Sequence, residues 1–153
     1  MQLADIIDKT TNSTEWHSLL DTLGEEPKKE QITPSWCLYT FENSGLEIRY
    51  KKNKNHEGIR EIWIFGEYYA DKMPFTGELF SGLTNRDNRE IIAGCMKSME
   101  GISAETPTHH YCRKLEKKLI ADSYINESFQ ITFYFLDEEL IQLPVYICIY
   151  SYH

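Results

Sequence analysis

The second half of this chain reads as a degraded copy of the first, which restricts the fold to one built from two like units. In the first half a helix-like run, Thr14 to Leu23, leads through a polar linker to GLEIRY (45–50) and IREIWIF (59–65). In the second, Asp87 to Met99 leads through a longer linker to SFQITFYF (128–135) and LPVYICI (143–149). Leu46 falls on Phe129 at an offset of 83, and Ile59 on Leu143 at 84. The helices repeat nearer 72, and the difference sits in the linker, where insertions are tolerated. The expected fold is α+β: tandem units of one helix plus three strands, forming a mainly antiparallel sheet with helices on one face. The whole chain, 1–153, reads as one domain with pseudo-repeats at about 1–66 and 83–153.

Local signals place the elements. Ser13 or Thr14 is a good N-cap for a helix carrying Trp16, Leu19, Leu20 and Leu23 on one side, and Gly24 stops it. Lys28, Lys29 and Glu30 read as a charged linker ahead of a strand at WCLYTF (36–41). Turns at Asn43–Gly45 and Asn53–Gly58 continue this strand into a three-stranded meander. Residues 66–85 read as irregular, and Asn85 or Asp87 caps a second helix with Ile91, Ile92, Cys95 and Met99 inward. Residues 100–110 read as a loop, and 114–125 fits either a helix or a strand. Asp137, Glu138 and Glu139 mark the turn between the last two strands.

Alternation assigns the faces. Phe129, Ile131, Phe133 and Phe135 share one face with Val145, Ile147, Ile149, Ile48, Ile62 and Ile64, and helices should cover it. The opposite face should show Trp63, Tyr134, Tyr146 and Tyr150 among carboxylates. A sheet face rich in Tyr and Trp suits protein binding, because such rings bury large area at low entropic cost. Strand propensity and cross-strand packing account for the same residues without any partner.

Charge narrows the partner. The net charge is −8 over 153 residues, and no Lys or Arg occurs from Leu119 to His153, a stretch holding five of the ten tyrosines. Acidic surfaces repel phosphate backbones, so a basic protein is the expected partner and nucleic acid is not. Asp137, Glu138 and Glu139, with Tyr134, Tyr146, Tyr150 and Trp63, form the first candidate binding set. A competing acidic site runs through Glu67, Tyr68, Tyr69 and Asp71 to Glu78. The N-terminus lacks the apolar region of a signal peptide, and Val145–Tyr150 is too short to span a bilayer, so a cytoplasmic protein without membrane contact is expected. Cys37, Cys95, Cys112 and Cys148 lack CxxC spacing and read as reduced thiols.

Catalytic signatures are sparse. His109-His110-Tyr111-Cys112 is the nearest approach to a metal cluster, but adjacent His residues diverge and the spacing fits no zinc pattern. No phosphate-binding glycine motif occurs. No enzyme activity, cofactor or metal is expected. The alternative is a small-molecule-binding or enzymatic α+β domain with a pocket near His109 and His110.

Two resemblances sharpen this. The helix ending in LGEEP (23–27), followed by strands opening with Gly45-Leu46, resembles the repeat of β-lactamase-inhibitor-like and small outer-membrane-lipoprotein-like domains. The second unit departs from it, with Cys95 to Glu100 in place of the Leu-Gly-x-Pro turn. The stretch from Gly45 to Ile92, with Gly77, Glu78, Leu79, Gly82 and Leu83 ahead of a helix, resembles immunity proteins encoded beside contact-dependent or polymorphic bacterial toxins. That resemblance implies a small, acidic, cytoplasmic, non-enzymatic protein. One copy would neutralise a cognate toxin domain, often a basic nuclease, by covering its active site.

Overall fold

The computed structural model describes residues 2–69, 71–79 and 82–152. A 3-10 turn at Leu3–Ile6 precedes helix α1 (Thr14–Leu23) and strands β1 (Lys28–Thr33), β2 (Trp36–Phe41), β3 (Leu46–Lys52) and β4 (Glu57–Phe65). Helix α2 (Arg89–Ser98) is followed by β5 (Ser103–Ala104), β6 (Thr108–Cys112), β7 (Lys117–Ile125), β8 (Phe129–Leu136) and β9 (Pro144–Ser151). All strands join one sheet in the order β1-β2-β3-β4-β9-β8-β7-β5, with β6 also on β7. Every pairing is antiparallel. The fold is α+β and mainly an antiparallel sheet.

The helices begin where side chains satisfy orphan N–H groups and end on backbone caps. The Ser13 hydroxyl accepts from the Trp16 N–H, and Gly24 closes α1 in the left-handed conformation at φ 61°. Asn88, rather than Asn85 or Asp87, caps α2 by accepting from the Ile91 N–H. This cap turns Ile92 and Met96 into the core and leaves Ile91 53% exposed.

Three segments differ from the sequence expectation. Lys28–Glu30 is not a linker but the start of β1, which is exposed along its whole length. Backbone pairing with β2, not an apolar pattern, makes it a strand, so it left no periodic signal. The stretch 100–110 is not all loop: β5 and β6 dock on β7 through backbone ladders, and their residues are exposed except the half-buried Cys112. Residues 117–125 form a strand despite their helix formers, because β8 on one side and β6 on the other take up the backbone groups.

The core lies between the helices and one sheet face. Phe41, Leu46, Ile48, Ile62 and Ile64 from the first half meet Ile131, Phe133, Phe135, Ile147 and Ile149 from the second, under Trp16, Leu19, Ile92 and Met96. Trp16 packs edge-on against Tyr39 and Phe41, with ring centroids 5.2 and 6.0 Å away. The N-terminal segment is pinned across the sheet end: Arg60 donates to the Asp8 carboxylate at 2.7 Å and to the Ser151 hydroxyl at 2.9 Å. Gly45 sits at φ 68°, and a Cβ there would lie 2.2 Å from the Met73 carbonyl oxygen.

Gly45→Ala should therefore destabilise the domain well beyond the cost of the left-handed backbone alone. Gly24→Ala, with open space around it, should cost only about 1 kcal/mol. Ile64→Asp should unfold the protein by stranding a carboxylate in the core. Thermal denaturation of the three variants checks this order; equal losses at the two glycines would contradict the close approach at Gly45.

Candidate interaction face

Side chains that alternate with the core residues line the other side of the sheet. At its centre β4 lies against β9, pairing Glu61 with Tyr150, Trp63 with Cys148 and Phe65 with Tyr146. None of the helical residues that are buried in the core packs here, and the rings cover one another instead. Trp63 lies 5.5 Å from Tyr146 and 6.3 Å from Tyr150. Tyr134 stacks on Tyr146 at 4.3 Å, and Tyr69 meets Tyr146 edge-on at 5.6 Å. All five rings are half-buried, so each keeps an accessible surface.

Polar neighbours fix the central ring. The Trp63 indole N–H donates to Glu61 at 2.9 Å, Glu61 pairs with Arg49 at 3.2 Å, and the Arg49 guanidinium lies 5.4 Å over Trp63. Farther along, Lys72 pairs with Glu47 at 2.6 Å and lies over Phe65, while Lys114 lies over Tyr69. The charges on the face are thus balanced, and acid accumulates at its end.

Burial sets the chemistry of these groups. It pushes the Tyr134, Tyr146 and Tyr150 phenols up, so they remain neutral hydrogen-bonding groups at physiological pH. Cys148 is wholly buried, and that burial pushes its thiol far up, which removes it as a nucleophile. Cys37, Cys95, Cys112 and Cys148 are all free thiols. Among the described residues no group of His, Cys, Asp and Glu side chains could hold a metal ion.

The residues singled out in the sequence separate into three places. Trp63, Tyr134, Tyr146, Tyr150 and Tyr69 come together in the aromatic cluster. The Asp137–Glu139 turn and the Glu67–Tyr68 segment lie at one end of the sheet, where β4 finishes and β9 begins. Gly66 there donates to the Val145 carbonyl. Asp137 is half-buried and 3.5 Å from His109, whereas Glu138 and Glu139 are exposed. Glu67 pairs with Arg86 at 3.1 Å, Tyr68 is exposed, and Asp71 is exposed at φ 66°. Glu78 stands apart from the face: it accepts from the Gly82 N–H and lines a groove with Leu3 and Leu19 on the helix side.

His109 and His110 diverge on β6. His109 approaches Asp137, while His110 packs on Tyr134 at 5.7 Å. His110 lines an open groove of about 440 Å³ with Thr108, Gln130, Thr132 and Tyr150. Sequence reasoning missed Arg49 and Glu61, whose role depends on sitting directly opposite each other across β3 and β4. Only the strand register reveals that pairing. No protein-family model, curated protein or solved structure matches this chain.

Six tyrosines, Tyr50, Tyr69, Tyr124, Tyr134, Tyr146 and Tyr150, have phenols pushed up mainly by burial, Tyr124 to about 12. Unfolded tyrosines lose their protons near pH 10, so above that pH the unfolded chain binds fewer protons than the folded one. Stability should fall as pH rises from about 10 towards 12. Phenolate absorbance should show these six phenols ionising together with unfolding. Ten phenols titrating smoothly in a folded protein would contradict the burial of the face.

Proposed function

We propose that this chain is an immunity protein: a cytoplasmic binding module, one copy of which covers the active site of a basic bacterial toxin domain. The observation that carries the reading is a helix-free sheet face whose centre is a fixed, half-buried cluster of Trp63, Tyr69, Tyr134, Tyr146 and Tyr150. Rigid aromatics are the usual source of binding energy in protein interfaces, because little side-chain entropy is lost when they are covered. Glu138 and Glu139, exposed at the end of the face and without an ion pair among the described residues, give a basic partner a direction of approach.

The same reading includes a duplicated unit. Support comes from the two central hairpins, each of which carries a register shift: β3 on β4 between Arg49 and Tyr50, β8 on β9 between Tyr134 and Phe135. The extra residues opposite these points are Arg60 and Val145, 85 residues apart. Leu46 opposite Ile64 likewise recurs as Ile131 opposite Ile149, both shifted by 85. This spacing is one or two residues longer than the offsets read from the sequence. A pocket enzyme around His109 and His110 has less support, since the two rings face different neighbours and the His110 groove is open.

The test is titration against the toxin domain encoded beside this chain's gene. Trp63→Ala should keep the fold yet weaken binding by about 2–4 kcal/mol, mostly through faster dissociation. Association of the wild type should slow as ionic strength rises. Full affinity in Trp63→Ala would remove the aromatic face from the interface, and an association rate indifferent to salt would remove steering.

A further inference from the structure

The segment between β8 and β9 displays two neighbouring aliphatic side chains to solvent. Leu140 is 103% exposed and Ile141 68%, the highest values for large hydrophobic residues among those described. Slack chain is not the reason. The Gln142 side chain donates to the Leu136 carbonyl at 3.0 Å and accepts from Arg89 at 3.2 Å, and its backbone carbonyl accepts from the Arg89 N–H at 2.8 Å. At the other end of the segment the Asp137 N–H donates to the Lys118 carbonyl at 3.1 Å. Arg89 is itself clamped by Asp122 through two bonds of 2.7 and 2.8 Å. A charge pair and a glutamine thus hold the base of a loop whose tip, Leu140 and Ile141, stands out into solvent.

The surroundings define what could cover that tip. Glu138 and Glu139 are exposed beside it, and Asp122 neutralises the nearby Arg89. The loop also forms one wall of a cleft of about 570 Å³ whose lining includes Glu90, Glu105, Pro107 and Tyr124. An aliphatic tip flanked by carboxylates complements an apolar pocket with a cationic rim. We propose that Leu140 and Ile141 are an anchor that enters an apolar pocket on a basic protein partner, with Glu138 and Glu139 pairing with Lys or Arg at its rim. The proposal rests on the binding reading above and gives it a contact that the aromatic face does not supply.

The experiment compares three full-length variants against the toxin domain encoded beside this chain's gene, by kinetic binding across ionic strength. In Leu140→Ser/Ile141→Ser both changes lie on exposed positions, so circular dichroism and melting temperature should match wild type. Its affinity should drop roughly 30-fold, almost wholly through dissociation and equally at low and high salt. Glu138→Gln/Glu139→Gln should instead slow association at low salt. Wild-type affinity in the aliphatic pair, together with weakened binding by Trp63→Ala, overturns the anchor and leaves the binding reading standing. Unchanged association in the glutamine pair overturns the cationic rim. If the wild type does not bind, or Trp63→Ala and the aliphatic pair both bind as it does, the anchor and the reading fall together.

Discussion

Five residue pairs between β4 and β9, from Glu61–Tyr150 to Phe65–Tyr146, join two strand groups that share no other ladder among the described residues. On one side this seam brings Ile62 and Ile64 against Ile147 and Ile149, making the core continuous under both helices. On the other side it brings Trp63 against Cys148, with Tyr146 and Tyr150 on the diagonals. The contacts that unite the domain therefore also create the aromatic platform. A change that slips the seam by one residue would send the isoleucines to solvent and the rings inward. Burial of the isoleucines at 0–1% exposure is what holds the register and, with it, the geometry of the face.

How far the sequence revealed this depended on where each signal was stored. The face assignment of β4, β8 and β9 was legible because one face of each strand lies in the core, and that imposes a period of two; it failed at Val145, the extra residue at the register shift, which is buried but outside the core cluster. The limits and caps of α1 were legible because Ser13 and Gly24 do chemically distinct jobs at its two ends. β1, β5 and β6 were not legible: edge strands pair through backbone groups that every residue carries, and their exposed side chains obey no pattern. Trp63, Tyr134, Tyr146 and Tyr150 were found together for the same reason that the core was, whereas Tyr69, which follows β4, was read into the competing acidic site and joins them only in the fold. Arg49 and Glu61, or Arg89 and Asp122, are long-range pairs that no local spacing encodes.

Charge is distributed unevenly in a way that total charge conceals. On the face, cations and carboxylates pair: Arg49 with Glu61 across β3 and β4, and Lys72, from the segment after β4, with Glu47. These pairs position rings more than they attract a partner, because opposite charges a few ångströms apart cancel at a distance. At the β8–β9 end, by contrast, Glu138 and Glu139 form no ion pair with any of the described residues. Long-range steering would originate there, and close contact would be made by neutral phenols and an indole.

That division bears on preorganisation. A ring that swings freely loses rotamer entropy when a partner immobilises it, typically about 0.5–1.5 kcal/mol for each side chain. Trp63 avoids much of this loss, being held by the Glu61 carboxylate below its indole N–H and by the Arg49 guanidinium over its face. Tyr146 is held by contacts with Trp63, Tyr69 and Tyr134. Such constraint has a structural cost: aromatic area is left half-covered by other aromatics when it could have been packed into a core. A sheet that only needed solubility would be served by Thr, Lys and Glu at these positions, as its first edge strand is by Lys28, Lys29 and Glu30. On the proposed reading, the rings held in place at the seam are the surface that the partner covers, a role that strand propensity alone does not require.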